Sequence, residues 1–185
     1  MGMHAKKPGK ILADLVSVLP DDQLMIGREA SPSGNGSCHV FRMLVRVGYH
    51  ETDGQRRVHH ANYLNYFERS RVEMLRAAGF DYRGFEKEGL MLVISELKIR
   101  YRGAAEFDDL LRISTWVTDV RGARIVHRHE VDREGELLVE CDLVCGCIDA
   151  RGRVRRLPKE WVKCFAPDRA ENSYSQASRD GQGDT

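Results

Sequence analysis

The chain has 185 residues, 42% of them hydrophobic and 31% charged, with 29 basic residues against 28 acidic ones and a net charge of +1. That length suits one domain with tails, and the balanced charge argues against a general nucleic-acid binder, which carries a basic face. No apolar run approaches the roughly 18–20 residues that cross a bilayer, and Asp14 interrupts the apolar part of the N-terminal stretch, so neither a membrane span nor a signal peptide is expected.

Residues 1–39 read as an N-terminal extension of flexible character, with a short helix over 8–20 ended by Pro20 and a loop at SPSGNGS (31–37). A folded domain is expected over 40–166. Residues 167–185 are rich in Ser, Asp, Gly, Gln and Asn, have almost nothing to bury, and read as a disordered tail. No internal repeat is visible.

Within 40–166 the first element is VFRMLVRVGY (40–49), whose alternation puts Phe41, Met43, Val45, Val47 and Tyr49 on one face of a strand and Arg42 and Arg46 on the other. The period then changes. Over 62–79, Leu64, Phe67, Met74, Leu75 and Ala78 share a helical stripe with Ser70 as a small neighbour. Asn62 is the expected N-cap, Gly79 the stop, and Arg69 and Glu73 the pair across a turn. Alternating runs follow. Val93, Ser95, Leu97, Ile99 and Tyr101 form one face, then Leu111, Ile113, Thr115 and Val117. Arg121-Gly122 turns into IVHRHEV (125–131), and residues 133–136 turn into the run of Leu137, Val139, Cys141, Leu143, Cys145 and Cys147. A last strand is expected over 154–157, ended by Pro158. Hairpin-like spacings predict an antiparallel sheet.

Five cysteines, Cys38, Cys141, Cys145, Cys147 and Cys164, are an odd number that fits no simple disulfide framework and suits a reducing cytoplasm. Cys141, Cys145 and Cys147 share a strand face and read as core fillers. His127 and His129 also share a face. With no third ligand in sequence they read as core or interface residues, and no metal site is expected.

The chemistry concentrates just before the helix, where YHETDGQRRVHHAN (49–62) gathers Tyr49, Asp53, His60 and Asn62. The first N–H groups of a helix lack intrahelical partners and carry partial positive charge, so the segment His60-Ala61-Asn62 is suited to holding an oxygen that becomes negative. A carboxylate such as Asp53 beside it is suited to acyl-transfer chemistry. Taken alone, Asp53 could equally be a turn residue. Glu68, nearly two turns into the helix, can reach the same region or pair with Arg71.

The run Y-x3-D-x6-H-A-N-Y-L-x-Y-F-E-x-S-R, with the later AEFDDLLRISTWV and RGARIV, resembles the 4-hydroxybenzoyl-CoA thioesterase branch of the hot dog superfamily, closest to the acyl-CoA thioesterases of the Tol-Pal-associated subfamily. The resemblance covers about residues 41–166. It implies an α+β hot dog fold, a five- to six-stranded antiparallel sheet wrapped around one central helix. It also implies an acyl-CoA thioesterase without a cofactor, in which Asp53 is nucleophile or general base and Tyr49 and His60 line the site. Backbone N–H groups around Ala61 and Asn62 would hold the carbonyl oxygen. Arg121, with Arg124 three residues on, occupies the turn where the family places a basic contact to CoA phosphate; Lys98, Arg100 and Arg102 are weaker candidates. The implied substrate is a thioester of CoA or acyl carrier protein, and the implied assembly a homodimer or homotetramer with active sites at subunit interfaces. The departure from the family pattern is Gly54-Gln55-Arg56-Arg57 after the Asp, either a contact for an anionic group or a solvated loop. A non-catalytic acyl-CoA sensor on the same fold is the alternative, against which Asp53 argues. A hot dog hydratase is disfavoured, because one branch has four residues between its Asp and His where this chain has six.

Overall fold

The computed structural model describes residues 25–30 and 37–166. The expected helix over 8–20 and the tail after 166 lie outside the described residues. Six strands form one antiparallel sheet, β1 Met25–Ala30, β2 Ser37–Arg46, β3 Leu90–Tyr101, β4 Leu110–Arg121, β5 Arg124–Arg133 and β6 Glu136–Asp149, in the order β1-β2-β4-β5-β6-β3. Between β2 and β3 the chain makes α1, Asn62–Ala77, and the short α2, Tyr82–Lys87; α3, Lys159–Phe165, follows the sheet. One strand of the sheet, β1, thus comes from the segment before residue 40.

The sheet curls because its strands outrun the helix. A twelve-residue strand reaches about 40 Å and a sixteen-residue helix about 24 Å. The inner face follows the expected alternation. Leu111, Ile113, Thr115 and Val117 on β4, Ile125, His127, His129 and Val131 on β5, and Val139, Cys141, Leu143, Cys145 and Cys147 on β6 are all buried. Against them α1 lays Tyr63, Phe67, Ser70 and Met74, spaced four, three and four residues apart and all buried. The β5–β6 turn is a two-residue connection in which Glu134 and Gly135 both have positive φ, 54° and 86°, the geometry that matches strand twist in hairpins.

Several local expectations change. The N-cap of α1 is Ala61, and Asn62 is the first helical residue. Leu64, assigned to the apolar stripe, is 39% exposed. Glu73 pairs with Arg76 rather than Arg69. Gly79 does stop the helix, at φ 82°. On β3 the register shifts between Ile94 and Glu96, and an extra residue flips the face. Ile94 therefore joins Leu97, Ile99 and Tyr101 on the inner face, opposite Cys145, while Val93 faces outward opposite Gly146. Residues 154–157 do not form a strand; Val154 makes only an isolated bridge to Ile148. The two short helices had no expectation. They close the end of α1 with an aromatic cluster in which Trp161 lies 4.6 Å from Phe85 and 5.6 Å from Phe80 between ring centroids.

Candidate active site

After β2 the chain leaves the strand at Gly48 and makes one 3-10 turn, Tyr49–Glu51. The Glu51 carboxylate accepts from the Gly48 N–H at 2.7 Å and fixes the exit. Tyr49 therefore does not continue the β2 face. It stands 78% exposed, edge-on to Phe107 at 5.6 Å between ring centroids.

Asp53 opens a tight loop closed by the Thr52–Val58 bridge. Its N–H donates to the Arg57 carbonyl at 2.8 Å, and its carbonyl accepts from the Arg56 N–H at 2.9 Å. Its Oδ1 accepts from the N–H groups of Gln55 at 2.8 Å and Arg57 at 3.5 Å. The Asp therefore does hold a turn. Its Oδ2 takes no hydrogen bond among the described residues and stays free for chemistry. The loop rests on the segment before β4, where Val58 N–H donates to the Ala105 carbonyl and Arg57 bridges to Glu106. Arg56, at φ 63°, and Arg57 are both exposed.

The start of α1 is tied to the same turn. Glu51 O accepts from His59 N–H at 2.9 Å and from Asn62 Nδ2 at 2.7 Å. Asn62 thus anchors the helix, with its amide engaged and its Oδ1 accepting from Asn65 Nδ2 at 3.3 Å. Of the expected oxyanion donors, Asn62 N–H is taken by His59 O at 2.8 Å, and Ala61 N–H by His59 Nδ1 at 3.3 Å. The N–H groups of His60 and Tyr63 have no acceptor among the described residues. Tyr101, at the end of β3, donates its hydroxyl to the His60 carbonyl at 3.0 Å and sets that peptide's orientation. The His60 imidazole is exposed and leans on His59, 4.2 Å between ring centroids.

Beside this, burial and then the charge of nearby Glu51 hold the Tyr66 hydroxyl above its ordinary range. That hydroxyl is buried near the carboxylate without a hydrogen bond of good geometry. Asp53, His60, Ala61 and Asn62 are thus gathered at one loop-to-helix junction, with Tyr49 at its rim. Sequence spacing could not find Tyr101 or Phe107, which arrive from elements more than forty residues away.

The remaining candidates lie elsewhere. Glu68 is exposed on α1 and makes no pair with Arg71. Arg121 and Arg124 flank the β4–β5 turn and both contact Asp119, at 3.1 and 3.3 Å. β4 begins beside the Asp53 loop, so the eleven steps of its twelve residues carry Arg121 roughly 35 Å away. Within one chain they are not part of that site. They adjoin a basic loop that spacing did not single out, RGRVRR (151–156), because Leu157 N–H donates to Gly122 O and Cys147 N–H to Ala123 O, each at 2.8 Å. Arg151, Arg153, Arg155 and Arg156 are all exposed there. Arg100 and Arg102 instead clamp the buried Glu140 together with Arg128. Burial works against that charge, but Arg102 and its neighbours win and keep the carboxyl below its ordinary range. His127 and His129 are fully buried core residues. No described group of His, Cys, Asp and Glu has the arrangement of a metal site, and no described helix is long and apolar enough to cross a membrane.

The family model described as the thioesterase-like superfamily matches residues 47–165. The acyl-CoA thioester hydrolase YbgC of Escherichia coli O6:H1 is 36% identical over 128 residues, covering 68% of this chain and 96% of that protein. The acyl-CoA thioesterase YbgC of Haemophilus influenzae is 37% identical over 128 residues, 68% of this chain and 93% of its own. A crystal structure of a probable thioesterase from Bartonella henselae superposes with a TM-score of 0.60 at 34% identity, covering 63% of this chain and 98% of the other. A 4-hydroxybenzoyl CoA thioesterase mutant in complex with 4-hydroxybenzoyl CoA shares the fold, with a TM-score of 0.64 at 18% identity over 69% of this chain and 99% of its own.

Proposed function

The chain belongs to the thioesterase-like superfamily of hot dog fold, and from that premise we propose that it is an acyl-CoA thioesterase whose reacting groups are the Asp53 carboxylate and the His60 N–H. The observation that carries the reading is the pairing of a carboxylate with one free oxygen and an unpartnered N–H at a helix start. In the reaction the acyl carbon gains an oxygen and the C–S bond breaks. The sulfur leaves as the CoA thiol, and the acyl group as a carboxylic acid. Asp53 serves either by attacking the carbonyl carbon, with water cleaving the resulting anhydride, or by taking a proton from the attacking water. In both routes the carbonyl oxygen becomes negative, and His60 N–H, with Tyr63 N–H behind it, meets that charge. Tyr101 holds the His60 peptide in place. Tyr49 and Phe107 offer an aromatic rim, and Asn62 serves by anchoring the helix.

The CoA end requires cations, because its phosphates are anionic. In this reading they come from a second copy. β3 is an edge strand with Ile94, Leu97 and Tyr101 exposed on its inner face at 49%, 36% and 47%. Two copies pairing along β3 about a two-fold axis normal to the sheet run antiparallel. The Leu90 end of one strand then lies near the Tyr101 end of the other. Leu90 pairs with Asp149, next to the basic loop. Arg121, Arg124 and the 151–156 arginines of the partner subunit would then face the mouth of the Asp53 site.

The test is thiol release from short, medium, long and aromatic acyl-CoAs, and from acyl carrier protein thioesters, by wild type and Asp53→Asn. Turnover that falls at least about a hundredfold in the variant supports the reading. Folded protein that binds acyl-CoA and releases no thiol from any substrate would make the chain a sensor instead.

A further inference from the structure

Beneath α1 lies a polar nest that the chemistry above does not use. The Ser70 and Thr115 hydroxyls meet at 2.6 Å, and Thr115 meets His129 Nδ1 at 2.8 Å, with Phe67 stacked on the His129 ring at 4.8 Å. Among the described residues the rest of the nest has no hydrogen-bond partner: His129 Nε2, both nitrogens of His127, and Nε and Nη1 of Arg71 are buried without one. Arg71 is 5% exposed. A guanidinium keeps its charge at every accessible pH, and such a charge left buried without a counter-ion is strongly unfavourable. The inner-face neighbours of the two histidines across the sheet are Thr115, Val117, Cys141 and Leu143, none of them a carboxylate. Glu68, on the same flank of α1, leaves Arg71 unpaired.

The place of the nest suggests what completes it. The Arg71 charge bears on His127 and His129 of β5 and on Cys145 of β6, which places its head over the β5–β6 part of the inner face. On that side the exposed inner-face residues of β3 make an apolar strip. It starts at Tyr101, which holds the His60 carbonyl, passes Leu97, and ends at Ile94, which pairs with Cys145. Along the helix the nine steps from Asn62 to Arg71 rise about 14 Å. The strip therefore begins at the reacting centre and ends beside an orphan cation, the layout of a channel whose walls are apolar and whose far end carries a few convergent polar groups.

We propose that Arg71, with His127 and His129, forms the far end of the acyl channel and selects acyl groups that carry a carboxylate at their distal end, about 14 Å from the thioester. The proposal rests on the thioesterase reading. A distal carboxylate meets a guanidinium and two neutral imidazoles that can each donate one N–H. A distal methyl group leaves all of those donors unmet, which is the asymmetry by which buried polar groups discriminate.

The test is kcat/KM for pairs of acyl-CoAs of equal chain length, one ending in a methyl group and one in a carboxylate, with wild type, Arg71→Met and Arg71→Lys. Wild type is expected to prefer the carboxylate member at the matching length by tenfold or more. Arg71→Met should abolish that preference while methyl-ended turnover stays within about threefold, and Arg71→Lys should keep part of it. An independent reading needs no variant: free dicarboxylic acids of matching length should raise the melting temperature of the wild-type protein more than monocarboxylic acids do. Wild type with no preference at any length, together with equal thermal shifts, would overturn the proposal and leave the nest to buried water. Equal loss on both members of each pair in Arg71→Met would make Arg71 a structural residue. Absence of thiol release from every substrate would instead strike the thioesterase reading, and the thermal shifts would still report on the nest.

Discussion

In the proposed reading Asp53 carries two duties on one carboxylate, a structural one and a chemical one. Oδ1 holds the Gln55 and Arg57 N–H groups, and Oδ2 is free. The two can be separated by substitution. Asn keeps an acceptor oxygen for the loop and loses the acid–base and nucleophilic capacity; Ala loses both. Asp53→Asn should therefore unfold within a few tenths of a kcal/mol of wild type, and Asp53→Ala should lose about 1 kcal/mol, read by chemical denaturation. Equal stabilities for the two variants would mean that the loop does not depend on this carboxylate. Much of this junction was legible in sequence, because Tyr49, Asp53, His60 and Asn62 lie within fourteen residues. Which N–H groups remain available was not. That depends on His59 turning its carbonyl and ring onto Asn62 and Ala61, a fold-back that no spacing announces.

The central helix and the β4–β6 hairpins follow their apolar periods, since each buries one face and their turns carry Gly122 and Gly135. β3 defeats a strict period because one extra residue near Ser95 reverses the faces, and a bulge has no apolar signature. The short helices α2 and α3 escaped for a similar reason: six or seven residues do not sustain a period. The helix–sheet interface also contains the two buried histidines. Burial first, and then the positive charge of Arg71, push His127 down to about 3; burial, then neighbouring charge including His127 itself, pushes His129 well below its usual value. Both are neutral in the fold. Above about pH 6.5 they are neutral in the unfolded chain as well and contribute nothing to pH dependence. As pH falls below that, the unfolded chain takes up two protons that the fold refuses, and stability drops by up to about 1.4 kcal/mol per histidine per pH unit, or about 4 kcal/mol in total at pH 5. Denaturation at pH 7.5 and pH 5 should show the loss. His127→Leu/His129→Gln, which keeps an acceptor for Thr115, should show a much shallower one. Parallel slopes for the two proteins would remove the histidines from the account.

At the scale of the whole molecule, one chain presents the Asp53 loop and the arginines of 151–156 at opposite ends of the sheet. A long edge strand with exposed apolar residues invites pairing, and the proposed antiparallel pairing along β3 would bring those ends together across two copies. Ile94→Lys, at an exposed position of that strip, should leave the circular dichroism spectrum unchanged, shift the sedimenting species toward monomer, and lower thiol release with it. A variant that stays fully associated would move the interface off β3. The resemblance anticipated Arg121 and Arg124 as CoA contacts, and with roughly 35 Å between them and Asp53 along β4 they would serve, in the proposed reading, the other subunit's site. The decisive measurement is thiol release by a refolded mixture of two variants, Asp53→Asn and Arg121→Ala/Arg124→Ala. Alone, the first should lose at least about a hundredfold in kcat and the second should show a raised KM. Mixed subunits should regain activity at low substrate, because one site of each hybrid pairs an intact Asp53 with intact arginines. An Asp53→Asn protein that turns over normally, or a mixture no better than the sum of its parents, would contradict the shared site.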